Sequence, residues 1–291
     1  MSADDGPALR TCLITGGNSG IGKEAARRLV RDGARVILLC RSRERGEDAR
    51  RELATEAAGP APELVVGDLE RFDSVRSAAA EVARRAPSLD ALVANAGVYR
   101  AQREITPEGL ERTMAVNHVG HHLLVGLLLD RVVDAGGRVA VVSSEAHRAG
   151  RLRRRPLEEI LRGEGDYSGW QAYADSKLAN LLFAFELGRR LEGTGVGVSA
   201  LHPGTLATSI WNRNRDVASL VARLAKPFMG SPERGGERVA RLVTDPALAE
   251  ERGVYVSGEE RSRASEDAYD RELAEELWGA TDRATGTAPE A

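Results

Sequence analysis

The chain has 291 residues, enough for one sizeable α/β core, and its 42% hydrophobic and 29% charged content is that of a folded globular protein. A formal net charge of −3 gives no bulk attraction to nucleic acid or to an anionic membrane, so neither is an expected partner. Two cysteines, Cys12 and Cys40, make no disulfide framework, the opening MSADDGPALR carries acid where a secretory signal carries base, and no apolar run reaches the ~18 residues of a membrane span; the expected setting is the cytoplasm.

The first apolar run, 11–15, leads into TGGNSGIG, from Thr15 to Gly22. Gly16, Gly20 and Gly22 carry no Cβ, so the backbone can turn sharply, approach a pyrophosphate and pack a helix on a strand. The following helix, 20–31, points its positive end at the same place. This reads as a dinucleotide phosphate cradle with three residues between its first two glycines, although purely steric strand-to-helix turns are also glycine-rich.

Further short Val/Ile/Leu runs follow at 34–40, 63–66, 91–94, 138–143, 196–201 and 253–256. Between them, helical spacing covers 43–57, 74–85, 109–133, 174–192 and 233–244. Alternating strands and helices with near-continuous apolar strands predict a doubly wound α/β fold of Rossmann type, a parallel sheet of about seven strands with helices on both faces. Residues 1–284 form one domain, with an insert at 148–170 and a lid at 205–232, and 285–291 are expected as a disordered tail.

Ligands of such sheets bind at the strands' carboxyl ends. Those ends are polar or glycine-rich here: Gly16, Arg41, Asp68, Asn95 to Gly97, Ser143-Ser144 and Pro203-Gly204. The next helix carries YADSK, in which Tyr173 and Lys177 stand four apart and share one face. A nearby ammonium favours phenolate, so Lys177 is expected to lower the tyrosine pKa and suit it to exchange a proton with a substrate oxygen.

TGGNSGIG, Asp68-Leu69, ANAG at 94–97, Asn117, Ser143-Ser144, YADSK and HPG at 202–204 together resemble the motifs of the short-chain dehydrogenase/reductase family. The likeness narrows to the branch of the retinol dehydrogenases and the WW-domain oxidoreductase through VNHVGHHLLV (116–125), SSEAH (143–147), YADSKLANLLF (173–183) and SPERGG (231–236), and it runs from about Leu9 to Trp278. The resemblance implies that Tyr173 is the general acid/base and that Lys177 tunes it and bonds the nicotinamide ribose. Ser144, the second of its pair, would steady the reacting oxygen, and Asn117 would hold a water in the relay behind Lys177. Of the cofactor residues it implies, Asn18, Ser19 and Ile21 join the glycines of the cradle, and Asp68 contacts adenine beside Leu69. Asn95 steadies the central strand next to Ala96 and Gly97, and Pro203, Gly204, Leu206 and Thr208 close over the nicotinamide.

An acid at the end of the second strand would bind ribose hydroxyls and repel a 2′-phosphate. This chain reads VILLCRSRER, with Arg41 there instead. A guanidinium pairs with phosphate in a bidentate fork, so NADP(H) is expected over NAD(H); the alternative is that Arg41 only begins a solvated helix.

Ser144 and Tyr173 stand 29 positions apart in the sequence, against roughly a dozen in the commoner family pattern. The insert holds Arg148, Arg151, Arg153, Arg154 and Arg155, then a short helix at 156–162, Tyr167 and Trp170. These arginines form either a solvated face with some pairing to Glu158 and Glu159 or a docking site for an acidic substrate or a carrier-bound acyl group. In the lid, Trp211, Val217, Leu220, Val221, Leu224 and Phe228 suit a bulky hydrophobic substrate, and core packing would produce the same stripe. Trp278 is expected to anchor the C-terminus. His118, His121 and His122 have no acidic or cysteine neighbour in sequence, so no metal is expected.

The expected function is an NADP(H)-dependent oxidoreductase moving hydride between nicotinamide and a small-molecule carbonyl or alcohol, a hydrophobic ketone or aldehyde. The alternatives are an NAD-dependent alcohol dehydrogenase of the same fold and a non-catalytic cofactor-binding regulatory protein. Both homodimer and monomer stay open, since similar proteins pair through the YADSK helix and an insert can block that interface.

Overall fold

The computed structural model describes residues 11–204 and 231–287. The eight strands among them form one sheet in the order β3-β2-β1-β4-β5-β6-β7-β8. Seven are parallel: β1 Thr11–Thr15, β2 Arg35–Cys40, β3 Glu63–Val66, β4 Ala91–Ala94, β5 Arg138–Val142, β6 Gly197–His202 and β7 Arg252–Ser257. The eighth, β8 Glu260–Arg261, is a two-residue antiparallel return on β7, too short to leave a periodic signal.

Strand side chains alternate between two cores. Leu13, Ile37, Leu39, Val65 and Leu92 face one layer of helices, and Cys12, Ile14, Val36, Leu38 and Cys40 face the other. The helices are α1 Gly20–Arg31, α2 Arg43–Ala54, α3 Phe72–Arg85, α4 Arg112–Met114, α5 Gly120–Asp134, α6 Leu157–Arg162, α7 Gly169–Arg190, α8 Pro232–Thr244 and α9 Arg271–Thr285. Helices α1 and α8 cover the Cys12 face; α3, α5, α7 and α9 cover the Leu13 face. Because β1 lies between β2 and β4, the connections leave it in opposite directions, and a crevice opens at its carboxyl end.

Three expectations change. The helix anticipated at 109–133 does not begin at Gly109, whose φ of +78° makes it a turn. Glu111 caps α4 instead, accepting from the Met114 N–H at 2.8 Å, and a π-helical turn, Ala115–Val119, separates α4 from α5. Helix α7 starts five residues early, at Gly169, because the Ser168 hydroxyl accepts from the Gln171 N–H. The disordered tail does not begin at 285: α9 runs to Thr285, which is buried with its hydroxyl on the Thr281 carbonyl at 2.9 Å. Trp278 stacks on Phe183 at 5.6 Å and lies under the Arg190 guanidinium at 4.2 Å, holding α9 on α7.

Candidate active site

The crevice is lined by loops that the strand ends dictate. At the end of β1 the Gly16 N–H donates to the Leu39 carbonyl at 2.8 Å, and Gly16 takes φ +69°, a conformation costly for any residue with a Cβ. A Cβ on Gly22 would run into the Asn95 amide and sit 2.6 Å from the Gly16 carbonyl oxygen. Gly20, at φ +55°, has open space where its Cβ would be. Ser19 precedes α1 without capping it through its side chain, which leaves the helix's first N–H groups to a ligand. The Gly17 and Asn18 N–H groups lie near enough to the Cys40 sulfur to favour its thiolate, while Asn18 Nδ2 is buried with no partner. Burial pushes the Cys40 thiol up to about 12.

Arg41 lies at the end of β2, ahead of the Ser42 cap of α2, so it is not part of that helix. Its guanidinium is 46% exposed and 3.9 Å from Glu70, which Arg112 holds at 3.0 Å. Asp68 faces the crevice end of β3, its carboxylate accepting the Glu70 N–H at 3.2 Å. The Leu69 side chain turns away into the core beside Gly120. Asn95 spends its side chain on β1, donating to the Thr15 carbonyl at 2.8 Å, and the Ala96 N–H donates to the Thr15 hydroxyl at 2.9 Å. A Cβ on Gly97 would lie 3.4 Å from Asn117 Oδ1 and 3.7 Å from Lys177 Nζ, so Gly97 faces both side chains.

Tyr173, Lys177, Ser144 and Asn117 come together around β5 and α7. The two serines divide their work: Ser143 is buried with its hydroxyl on the Lys177 carbonyl at 2.8 Å, whereas Ser144 is close enough to the Tyr173 phenol to favour its ionised form. Lys177 Nζ stands 5.6 Å from the Tyr173 ring centre and donates to the Val142 carbonyl at 3.1 Å. The Asn117 amide both accepts from Val98 N at 2.7 Å and donates to the Val98 carbonyl at 3.0 Å and the Ser176 hydroxyl at 2.9 Å. Burial dominates the electrostatics. It pushes Tyr173 up to about 12 against the Ser144 hydrogen bond and lowers Lys177 to about 8. The expected lowering of the tyrosine by Lys177 is not found: the ammonium donates to the Val142 carbonyl, and burial sets the direction of the shift.

Pro203 and Gly204 follow β6, with Gly204 at φ +98° and the Pro203 carbonyl accepting from Arg238 Nη1 of α8 at 2.9 Å. Leu206, Thr208, Trp211 and the rest of the lid through 230 lie outside the described residues.

The insert arginines find internal acids, though not those expected. Arg148 pairs with Glu145 at 2.7 Å, Arg153 with Asp270 at 2.6 Å, and Arg154 with the buried Asp175 of YADSK. Arg155 donates to the Glu164 carbonyl, and Glu158 pairs with Arg283 of α9. Spacing overlooked Asp175, which also accepts the Arg151 N–H at 2.8 Å and ties the insert to the catalytic helix. His122 does have an acidic partner, Asp282 at 2.7 Å, supplied from the far end of the chain, and His118 meets Thr281 at 3.1 Å.

Over residues 10–155 the chain matches the family model for short chain dehydrogenase. The chain belongs to the short-chain dehydrogenase/reductase family of oxidoreductases. Retinol dehydrogenase 12 of Mus musculus is 38% identical, across 92% of this chain and 84% of its own. Dehydrogenase/reductase SDR family member 13 of Bos taurus is 39% identical, across 96% and 74%. With retinol dehydrogenases 13 and 14 of Homo sapiens at 35% and 38%, these relatives put the chain in the retinol dehydrogenase-like branch. A solved structure from Mycobacterium paratuberculosis, 34% identical, superposes at TM-score 0.75 over 96% of this chain and 94% of that one. No helix among the described residues is long and apolar enough to cross a membrane.

Proposed function

We propose that this chain is an NADP(H)-dependent oxidoreductase that moves hydride reversibly between the nicotinamide and the carbonyl or alcohol carbon of a hydrophobic small molecule. The observation that carries the reading is Tyr173 with Ser144 acting on its phenol and with Lys177 Nζ 5.6 Å from its ring centre on the same helix face. The residues fit the cofactor: Gly22 has no room for a Cβ, Gly20 opens onto empty space, and Asn18 Nδ2 is a buried donor without a partner. Gly16, Asn18, Ser19, Gly20, Ile21 and Gly22 would hold the pyrophosphate, Arg41 the 2′-phosphate and Asp68 the adenine. Tyr173 and Lys177 would hold the nicotinamide ribose, with Ala96, Gly97, Pro203 and Gly204 beside it.

When bound, the cofactor supplies or accepts the hydride. Tyr173 gives its proton to the substrate oxygen in reduction and takes it back in oxidation, while the Ser144 hydroxyl donates to the same oxygen as charge grows there. With its pKa pushed up to about 12, the phenol keeps its proton at neutral pH, the form that reduction needs. Asn117 fixes the floor of the site through Val98 and Ser176. An apolar substrate is supported by Tyr99 and Ala146 packed with Tyr173 and by the 42% exposed Trp170, its ring centre 6.4 Å from that of Tyr173. The names of the retinol dehydrogenase relatives favour the same class. A cytoplasmic setting belongs to the same proposal, with cell fractionation as its check.

The test is a panel of ketones and aldehydes assayed for NADPH and NADH oxidation. We expect Arg41→Ala to raise KM for NADPH by about 10–100-fold and to leave KM for NADH within about threefold, since a charge-assisted phosphate contact is worth about 1.5–3 kcal/mol. Preference for NADH, or equal effects on both cofactors, would sink the NADP(H) assignment and favour the NAD-dependent alternative.

A further inference from the structure

His121 is the first buried titratable group that this mechanism leaves without a task. It sits on α5, directly after Gly120, whose own N–H reaches back five residues to the Ala115 carbonyl in the π turn. The imidazole Nδ1 stands 3.0 Å from the Asn117 carbonyl oxygen, and Nε2 stands 2.8 Å from the Thr15 hydroxyl. A carbonyl only accepts, so Nδ1 carries the proton and Nε2 accepts from Thr15. The Thr15 oxygen in turn accepts the Asn95 and Ala96 N–H groups, each at 2.9 Å. Its other possible acceptor, the Val93 carbonyl, is farther away at 3.4 Å. Every donor and acceptor in this chain of bonds is thus used, and one tautomer is selected. Burial first, and then the Lys177 charge, pushes the ring down to about 4, so it stays neutral at working pH and is no proton carrier.

We propose that His121 is a positioning residue, a rigid strut that joins the end of the phosphate cradle at Thr15 to the π turn bearing Asn117 and so holds cofactor loop and proton-relay turn in one register. The two ends it joins carry separate tasks. Thr15 opens the cradle and fixes the Asn95–Ala96 backbone, and Asn117 faces Gly97, as Lys177 does, and clamps Val98 and Ser176. A flexible side chain could reach one partner; a planar ring with a donor on one edge and an acceptor on the other reaches both without paying rotamer entropy. Residues that orient a catalytic group are worth about 10–100-fold in activity, because sub-ångström displacement of reacting groups is that costly.

The inference rests on the reductase reading, and the experiment separates the two. Wild type, His121→Phe, His121→Asn and Tyr173→Phe are compared with NADPH and, as carbonyl probes, decanal and all-trans-retinal. His121→Phe keeps the ring's shape and loses both bonds; His121→Asn keeps a donor within reach of the Asn117 carbonyl. We expect His121→Phe to lower kcat by about 10–100-fold with KM for NADPH within about threefold. We expect partial recovery of kcat in His121→Asn, and faster deuterium exchange in both variants across 95–98 and 115–121. Should His121→Phe not fold, the kcat and KM of His121→Asn against wild type decide the matter in the same way. Lowered thermal stability with kcat intact below the transition would make His121 merely structural and overturn the proposal. Wild type no more active than Tyr173→Phe on either probe would overturn the reductase reading itself, and the positioning role would fall with it.

Discussion

Lys177→Met should stabilise the fold while destroying its chemistry. The Lys177 ammonium is buried, and burial lowers its pKa from 10.5 to about 8. At about 1.4 kcal/mol per pH unit, that drop corresponds to a cost of about 3 kcal/mol for holding the charge in the folded state. Methionine fills similar space without charge, and the Val142 carbonyl keeps its bond from Asn180 Nδ2 at 3.1 Å, so no buried acceptor is orphaned. Below pH 8 both folded and unfolded wild type carry the proton, and the whole cost is present. Between 8 and 10.5 the folded chain releases its proton first, so wild type gains on the variant as pH rises, and above 10.5 the gap closes. Urea unfolding of both proteins should show the variant ahead by up to about 3 kcal/mol near about pH 7 and by about 1 kcal/mol near about pH 9.5. Comparison at equal pH cancels Tyr173, whose raised pKa acts the other way, costing the fold stability as pH climbs from 10 toward about 12. A gap that does not move with pH, or a variant weaker than wild type near neutrality, would refute the reasoning.

Tyr173→Phe should cut carbonyl reduction by about 10²–10⁴-fold with NADPH binding, followed by fluorescence titration, within a few-fold of wild type; unchanged turnover would remove the phenol from the mechanism. Gly22→Ala should push the Asn95 amide and the Gly16 carbonyl apart, costing about 1–3 kcal/mol in thermal or urea unfolding and weakening cofactor binding. Because the insert arginines are spent on Glu145, Asp270 and Asp175, KM for the carbonyl substrate should change by less than about twofold as salt is raised; a steep dependence would revive the docking site.

The seven parallel strands were legible because each carries a short apolar run; Thr11–Thr15, Glu63–Val66 and Ala91–Ala94 agree to the residue with the pattern. The Tyr173–Lys177 pair of the candidate site was legible because the two stand four apart on one helix, a local relation that spacing expresses. What spacing does not express is who meets whom across the fold. For His121 the sequence excluded a metal role and assigned no other, although its four-residue step from Asn117 allows a bond back along the helix; the Thr15 half of that contact spans 106 positions. Asp175 shows the same limit: nothing local says that an acid inside YADSK faces an insert rather than solvent. Helix α9 was missed apart from Trp278, because its apolar stripe of Leu273, Ala274, Leu277 and Ala280 is small-residue rich and weakly hydrophobic. The expected lowering of Tyr173 by Lys177 failed for a physical reason: spacing places the two on one helix face but does not say that the ammonium donates to the Val142 carbonyl or that the phenol is buried.

The two-residue return at β8 settles how this sheet ends. A parallel sheet leaves a row of unpaired N–H and C=O groups along its last strand, a template onto which a stray strand from another molecule can add. Here the chain folds back on β7 and stops after Glu260 and Arg261, both exposed and charged. Arg261 is then drawn onto Glu251 at 2.8 Å and the Ala247 carbonyl at 3.2 Å, so the return is stitched down at its outer side. Too brief to guide a neighbour and too polar to be buried by one, it acts as a selvedge against intermolecular strand growth along that border.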